Sequence, residues 1–200
     1  LQQKGGKTIK LKAQDITLAG LFASLMAIGA NITAFIVVGG VPITLTTFFS
    51  ILSGLLLGSR LGAISMTVYA LIGLAGAPVF SQFSGGPSSI ITPTFGFILS
   101  NILVAFVAGK MAEKKSSKTN FIMAALSGMT INYVFGTTWM YFAYQLWFGA
   151  PEGFSYAIAW LWMAAPLPKD IIFSCLAGVL AFRLHGKVYK SRNVKHKTTA

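Results

Sequence analysis

GGVPITLTTFFSILSGLLLGSRLG, residues Gly39 to Gly62, is the stretch on which the reading of the whole chain turns. It opens on a Gly-Gly-Val-Pro break with the Thr44 and Thr46 hydroxyls close behind, runs apolar through Leu57, and closes on a short basic turn at Arg60. At membrane depth such a break leaves backbone N–H and C=O groups that lipid cannot satisfy. It must therefore be buried in protein or line a wet cavity, which makes it a candidate binding wall.

Outward from that stretch, composition sets the class. The chain has 200 residues, 54% of them hydrophobic and 10% charged. A soluble domain of that make-up would leave a large apolar surface in water, so the sequence predicts an integral membrane protein. The formal net charge of +12 invites a nucleic-acid reading, but its distribution argues against one. Lys4, Lys7, Lys10 and Lys12 come first, Lys110, Lys114, Lys115 and Lys118 stand mid-chain, and Arg183 to Lys197 close the sequence. These clusters flank long uncharged runs, which is what the positive-inside rule produces without any polyanion. The lone Cys175 excludes an internal disulfide, and its place in an apolar run predicts packing rather than redox chemistry.

Span lengths follow from the charge-free runs. Ile16 to Ser59 carries no charge, and at about 1.5 Å rise and about 20 residues per crossing it suits two spans. The Gly39 to Pro42 break divides them into Ile16 to Ala34 and a short Thr44 to Leu57. Leu61 to Gly109 is again uncharged, and the Pro78 to Pro93 loop, rich in Ser and Gly, divides it into Leu61 to Ala77 and Thr94 to Met111. Asn120 to Trp147 is a fifth span, long enough to tilt. Glu152 to Ala165, with Tyr156, Trp160 and Trp162, reads as an interfacial helix. The sixth span starts near Pro168, because proline is tolerated in a first helical turn, and runs to Leu184.

The predicted fold is thus an all-α integral membrane protein, a six-transmembrane-helix bundle. A basic cytoplasmic lead covers residues 1–14, the bundle 15–184, and a basic cytoplasmic tail 185–200. With both termini cytoplasmic, every one of the sixteen basic residues except Lys169 falls inside, and that asymmetry supports a multi-pass cell-membrane protein in this orientation. Gly6-Lys7-Thr8 has the look of the end of a phosphate-binding loop, but Leu1 stands where the motif needs glycine, so no ATPase is expected on this chain. Nor does the first span read as a cleaved signal peptide.

Two features bear on binding. In span one Ala19, Ala23, Ala27 and Ala30 recur at helical spacing, giving a face that lets another helix come close; it suits either packing within the chain or docking of a second membrane protein. At the outer end of span six Lys169 and Asp170 are charges at membrane depth, where they are costly and tend to mark sites. Thr44, Thr46 and Thr47 after the break, Gln82 and Ser84 in the third-to-fourth loop, and Thr92, Thr94 and Asn101 beyond it can line a pocket with this pair. Phe80, Phe95, Phe97 and Trp162 are the aromatics expected to close it. Together they describe a mostly apolar cavity with few polar anchors, the usual form of a small-ligand site.

Catalysis and metal binding find no support. No His, Cys or carboxylate cluster has metal-ligand spacing, His185 and His196 sit in the basic tail, and no base accompanies a nucleophile at depth as an intramembrane protease requires. No catalytic residue, metal or cofactor is therefore expected.

Several motifs in linked order then carry a resemblance. Val41-Pro42-Ile43-Thr44, Ser53-Gly54-Leu55-Leu56-Leu57-Gly58-Ser59-Arg60-Leu61-Gly62-Ala63, Gly73-Leu74-Ala75-Gly76-Ala77-Pro78-Val79-Phe80, Pro93-Thr94 and Asp170 resemble the BioY family over nearly the whole chain. The resemblance implies a substrate-binding (S) component of an energy-coupling factor (ECF) transporter, an ABC importer for vitamin uptake that captures biotin from outside. It implies partnership with a transmembrane coupling protein and two cytoplasmic ABC ATPases, with Ala19 and Ala23 matching the motif that docks the coupling protein. Read with the residues themselves, Asp170 is expected to accept hydrogen bonds from ligand N–H groups, Lys169 to pair with a ligand anion, and aromatics around Phe97 to hold the ring. The chain departs from the family pattern at Thr46, Phe95, Phe97 and Phe173, each change removing hydrogen-bonding capacity or adding apolar surface. A related ring carboxylate such as lipoate or dethiobiotin is the alternative ligand, and a ligand-free structural membrane subunit the alternative class.

Overall fold

The computed structural model describes residues 12–38 and 41–194. The lead with Lys4, Lys7 and Lys10, the Gly39-Gly40 pair, and the final residues with His196 lie outside the described residues. The helices are α1 (Ala13–Asn31), α2 (Thr46–Leu57), α3 (Ser59–Leu74), α4 (Phe95–Lys114), α5 (Lys118–Ala143), α6 (Tyr156–Ala164) and α7 (Leu167–Val194). The sequence-predicted spans match these within a few residues, except that α7 continues helical past Leu184 into the basic tail. A π-helical turn, Tyr144–Phe148, prolongs α5.

The quoted stretch turns out to hold the centre of the molecule. α2 packs against α1, α3, α4, α5 and α7, and everything from Ser50 through Leu57 is buried. Being apolar nearly all round, it has no face suited to water and can only be an inner helix. Its small residues set how closely the neighbours come. A Cβ on Gly54 would stand 2.2 Å from the Ala105 carbonyl oxygen of α4, and one on Gly62 would stand 2.8 Å from the Gly54 Cα.

At one end of the bundle Gly58 joins α2 to α3 with φ +86°, a left-handed value that glycine adopts without steric cost. The Glu113 carboxylate at the end of α4 caps the new helix there, accepting from the Ser59 amide and the Ser59 hydroxyl, both at 2.8 Å. On the same side Ser117 caps α5 through the Asn120 amide (3.2 Å), while the Asn120 side chain donates to the Met111 and Lys115 carbonyls at 2.8 and 2.7 Å. Orphan helix-end groups are thereby satisfied by side chains.

The other end is where the backbone break lies. The expected all-helical architecture holds, with a short antiparallel ladder at the break, β1 (Val37–Val38) with β2 (Val41–Pro42), pairing Val37 with Pro42 and Val38 with Val41. Beyond it the Ile43 amide donates to the Ile36 carbonyl and the Leu45 amide to the Gly29 carbonyl, each at 2.8 Å, and the Thr33 hydroxyl donates to the Ile43 carbonyl at 2.6 Å. The chain thus pairs these groups itself, as low-dielectric surroundings demand.

The small-residue face of α1 is spent inside the chain. Ala19 and Ala23 are buried, and the Ala19 carbonyl accepts from the buried Ser65 hydroxyl of α3 at 2.7 Å. These two alanines thus pack within the chain, one of the two uses the sequence allowed for that face. The outer surface instead carries Ile16, Leu21 and Ile28 of α1, Leu71 of α3, Phe106 of α4, and Leu176 and Leu180 of α7, an apolar exterior that fits lipid. The chain is a membrane protein. Among the described residues α1 and α4 are each long and apolar enough to cross a bilayer, and α6 with α7 to Gly186 passes together as a pair bent by 60°. α2 and α3 are apolar but shorter.

Candidate ligand-binding site

The α2 entry, the ends of α1 and α3, the start of α4 and the turn after α5 enclose a cavity of about 390 Å³. Thr44, Thr46, Gln82, Thr94, Phe97 and Asn101, all read from the sequence as site residues, line it, and so does Pro42 of the break. Ser84, Thr92 and Phe80 line it too, whereas Phe95 and Trp162 do not. Phe95 lies against Trp139 with ring centroids 6.0 Å apart, and Trp162 packs on Phe154 and Tyr144 at 5.1 and 5.9 Å. Both aromatics are taken up by helix packing, which corrects their reading as closing groups. Tyr69, Tyr144 and Phe148 close the cavity in their place.

Lys169 and Asp170 line a smaller recess of about 40 Å³, which shares Val41, Pro42, Thr44, Thr46 and Phe97 with the large cavity. The break at residue 42 and the acid at 170 therefore stand at the same end of the bundle. Asp170 is 6% exposed. Its Oδ1 lies 2.7 Å from the Lys169 Nζ, and its Oδ2 accepts from the Tyr133 hydroxyl at 2.7 Å. Lys169 also donates to the Thr44 carbonyl. Two of the three ammonium donors are thus engaged by its neighbour and by the backbone. An ionised carboxylate offers about four acceptor positions, so each Asp170 oxygen keeps room for a further donor.

Behind the shared wall lies a buried amide network. The Asn132 side chain of α5 donates to the Ser100 hydroxyl at 2.7 Å and to the Asn101 side-chain oxygen at 3.3 Å, while its own oxygen accepts from Thr47 at 3.3 Å. Asn101 is 1% exposed and Asn132 2%, so the network ties α2, α4 and α5 together where the cavity floor is built. Residue-by-residue reading missed Asn132 and Tyr133. Their signal was there, since two polar side chains inside the apolar α5 run need partners in the bundle. Phe173, one of the departures from the family pattern, lines neither space and packs edge-on against Phe48 at 5.7 Å. Among the described residues no group of His, Cys, Asp and Glu has the arrangement of a metal site.

Comparison with known proteins comes on top of this geometry. Residues 4–190 match the BioY family. The chain is 44% identical over 190 residues to BioYB of Bacillus subtilis (strain 168), an alignment covering 92% of this chain and 94% of that one. It is 34% identical over 172 residues to the biotin transporter BioY of Thermotoga maritima, covering 86% and 95%. Its fold is similar to the crystal structure of the S-component for biotin from an ECF-type ABC transporter, with a TM-score of 0.70 at 22% identity over 88% of this chain and 95% of that one.

Proposed function

Because this chain belongs to the BioY family, we propose that it is the S component of an ECF-type importer, that its ligand is biotin, and that it is not itself an enzyme. The observation that carries this reading is Asp170: a buried carboxylate beside a preformed cavity, with one oxygen held by Lys169 and the other by Tyr133, each with an acceptor position still open. The two N–H groups of biotin's ureido ring are matching donors. In this reading the ring rests on Phe97, which borders both spaces, with its N–H edge toward Asp170. Thr44, Thr46, Thr94, Asn101 and Gln82 then surround the remainder of the molecule. Lys169 acts through Asp170 and Thr44, holding α7 against the α2 entry rather than meeting the ligand's anion.

Six crossings with both termini in the cytoplasm, and a transmembrane coupling protein with two ABC ATPases as partners, complete the proposal. The short α2 then counts as a span because it lies inside the bundle, and α3, which shows Leu71 to the outside, because a short apolar stretch is accommodated by local thinning of the bilayer. Equilibrium binding of biotin, dethiobiotin and lipoate to the purified chain tests the assignment side by side. Biotin should bind tightest; tighter lipoate binding would hand the site to a less polar ring, and no binding of any of them would favour a structural subunit.

A further inference from the structure

The α3–α4 loop holds two consecutive non-glycine residues in the left-handed region, Gln82 at φ 59° and Phe83 at φ 55°. Such backbone is costly and persists only where its surroundings over-determine it, most often beside a ligand site. Here the determinant is Asn31 at the end of α1. Its buried side-chain oxygen accepts from the Phe83 amide at 2.7 Å, and its amide donates to the Val79 carbonyl at 3.3 Å and the Ala27 carbonyl at 2.9 Å. The loop closes on itself as well, the Phe80 amide donating to the Ser84 carbonyl at 3.0 Å and the Ser84 hydroxyl to the Ser81 carbonyl at 2.8 Å.

What this arrangement presents is Ser81. It lines the large cavity, and its hydroxyl oxygen is shielded from solvent yet has no hydrogen-bond partner among the described residues. A buried hydroxyl left unpaired is unfavourable. Gln82 cannot take its place with the same freedom, because its amide is turned to the Ala34 carbonyl at 3.4 Å. Ser81 borders the large cavity and not the recess, whereas Asp170 borders the recess and not the large cavity. None of the described residues lining the large cavity is charged.

We propose that Ser81 is a ligand-contacting residue whose hydroxyl donates to the ligand's carboxylate, at the opposite end of the molecule from Asp170, and that Asn31 is the residue that positions it. This rests on the biotin reading above, in which the ring's N–H edge faces Asp170 and the acid tail lies in the large cavity. The carboxylate is then held by a neutral donor instead of a cation.

The test is calorimetric titration of the purified full chain with biotin and with biotin methyl ester, alongside melting of the unliganded protein. Ser81→Ala should weaken biotin by about tenfold or more, as loss of a hydrogen bond to a charged group does, and the ester by less than about threefold. Because the hydroxyl bonds no described residue, its removal should leave the unliganded melting temperature unchanged or slightly raised, which also verifies folding. Asn31→Ala should weaken biotin as well, and adding it to Ser81→Ala should cost little more, the mark of two residues acting through one contact. Wild-type affinity in Ser81→Ala would overturn the contact while leaving the biotin reading intact. Equal losses for acid and ester would overturn the carboxylate assignment, and fully additive losses the role of Asn31. A wild-type chain that binds neither ligand would remove the biotin reading and this inference with it.

Discussion

In the proposed reading Asp170 concentrates the chemistry of the site in one side chain, and its neighbours explain how a charge is tolerated there. Burying a carboxylate is expensive unless it is paired and hydrogen-bonded; Lys169 and Tyr133 meet both demands from two different helices. Its position in the first turn of α7 adds the favourable end of that helix's dipole. Replacing Asp170 with Ala should weaken biotin binding by about 1.5 to 3 kcal/mol, the worth of a hydrogen bond to a charged group; an unchanged dissociation constant would remove the residue from the site. Tyr133→Phe takes away the carboxylate's second donor and should lower stability by a similar 1.5 to 3 kcal/mol, roughly, read as an earlier thermal unfolding midpoint in detergent. At this scale the sequence was informative about charges and poor about their partners. Lys169-Asp170 stand out in any reading of an apolar chain, but that the pair closes on itself and on Thr44 depends on side-chain directions that spacing does not encode.

Helices α2, α3 and α4 meet through glycine, and the meeting points differ sharply in what a methyl group would cost. At Gly54 an added Cβ meets the Ala105 backbone at 2.2 Å, whereas at Gly20, on the outer face of α1, it meets nothing within 4 Å. Gly54→Ala must therefore separate α2 from α4 and should destabilise by about 3 kcal/mol or more, beyond ordinary overpacking because backbone cannot swing aside. Gly20→Ala should be neutral or stabilising by up to about 1 kcal/mol through helix propensity alone. Unfolding of the two variants under identical detergent conditions makes the comparison. Glu113 offers a second element-level test. Glu113→Ala strips the α3 cap of both its bonds to Ser59 and should cost about 0.5 to 2 kcal/mol, while Glu113→Gln keeps an acceptor and should recover most of it. Helix existence was legible from charge-free runs and breakers. The inward turn of Ala19 and Ala23 was not, because a small face fits a neighbouring helix of the same chain as well as it fits a partner.

For the whole molecule the two ends differ in kind. One end collects the break, the cavity and the Asp170 recess; the other collects Gly58, Glu113 and the Asn120 stitch between α4 and α5. In a Cys175→Ala background, Glu152→Cys should react with a membrane-impermeant thiol reagent on intact cells, and Ser116→Cys only after the membrane is opened; the reverse pattern would invert the proposed topology. Membrane class, the helix pattern and the family were determined by sequence alone, because hydropathy, charge clusters and turn residues are local properties that lipid acts on directly. Tertiary structure alone decided which polar groups remain available to a ligand. Lys169 meets Asp170 and Thr44 whereas the Ser81 hydroxyl meets no described residue, a distinction set by hydrogen bonds between residues as far apart in sequence as Thr44 and Lys169, or Asn31 and Phe83. Every buried donor and acceptor must be accounted for in three dimensions, and a hydroxyl such as that of Ser81 stands out only after its neighbours have been paired.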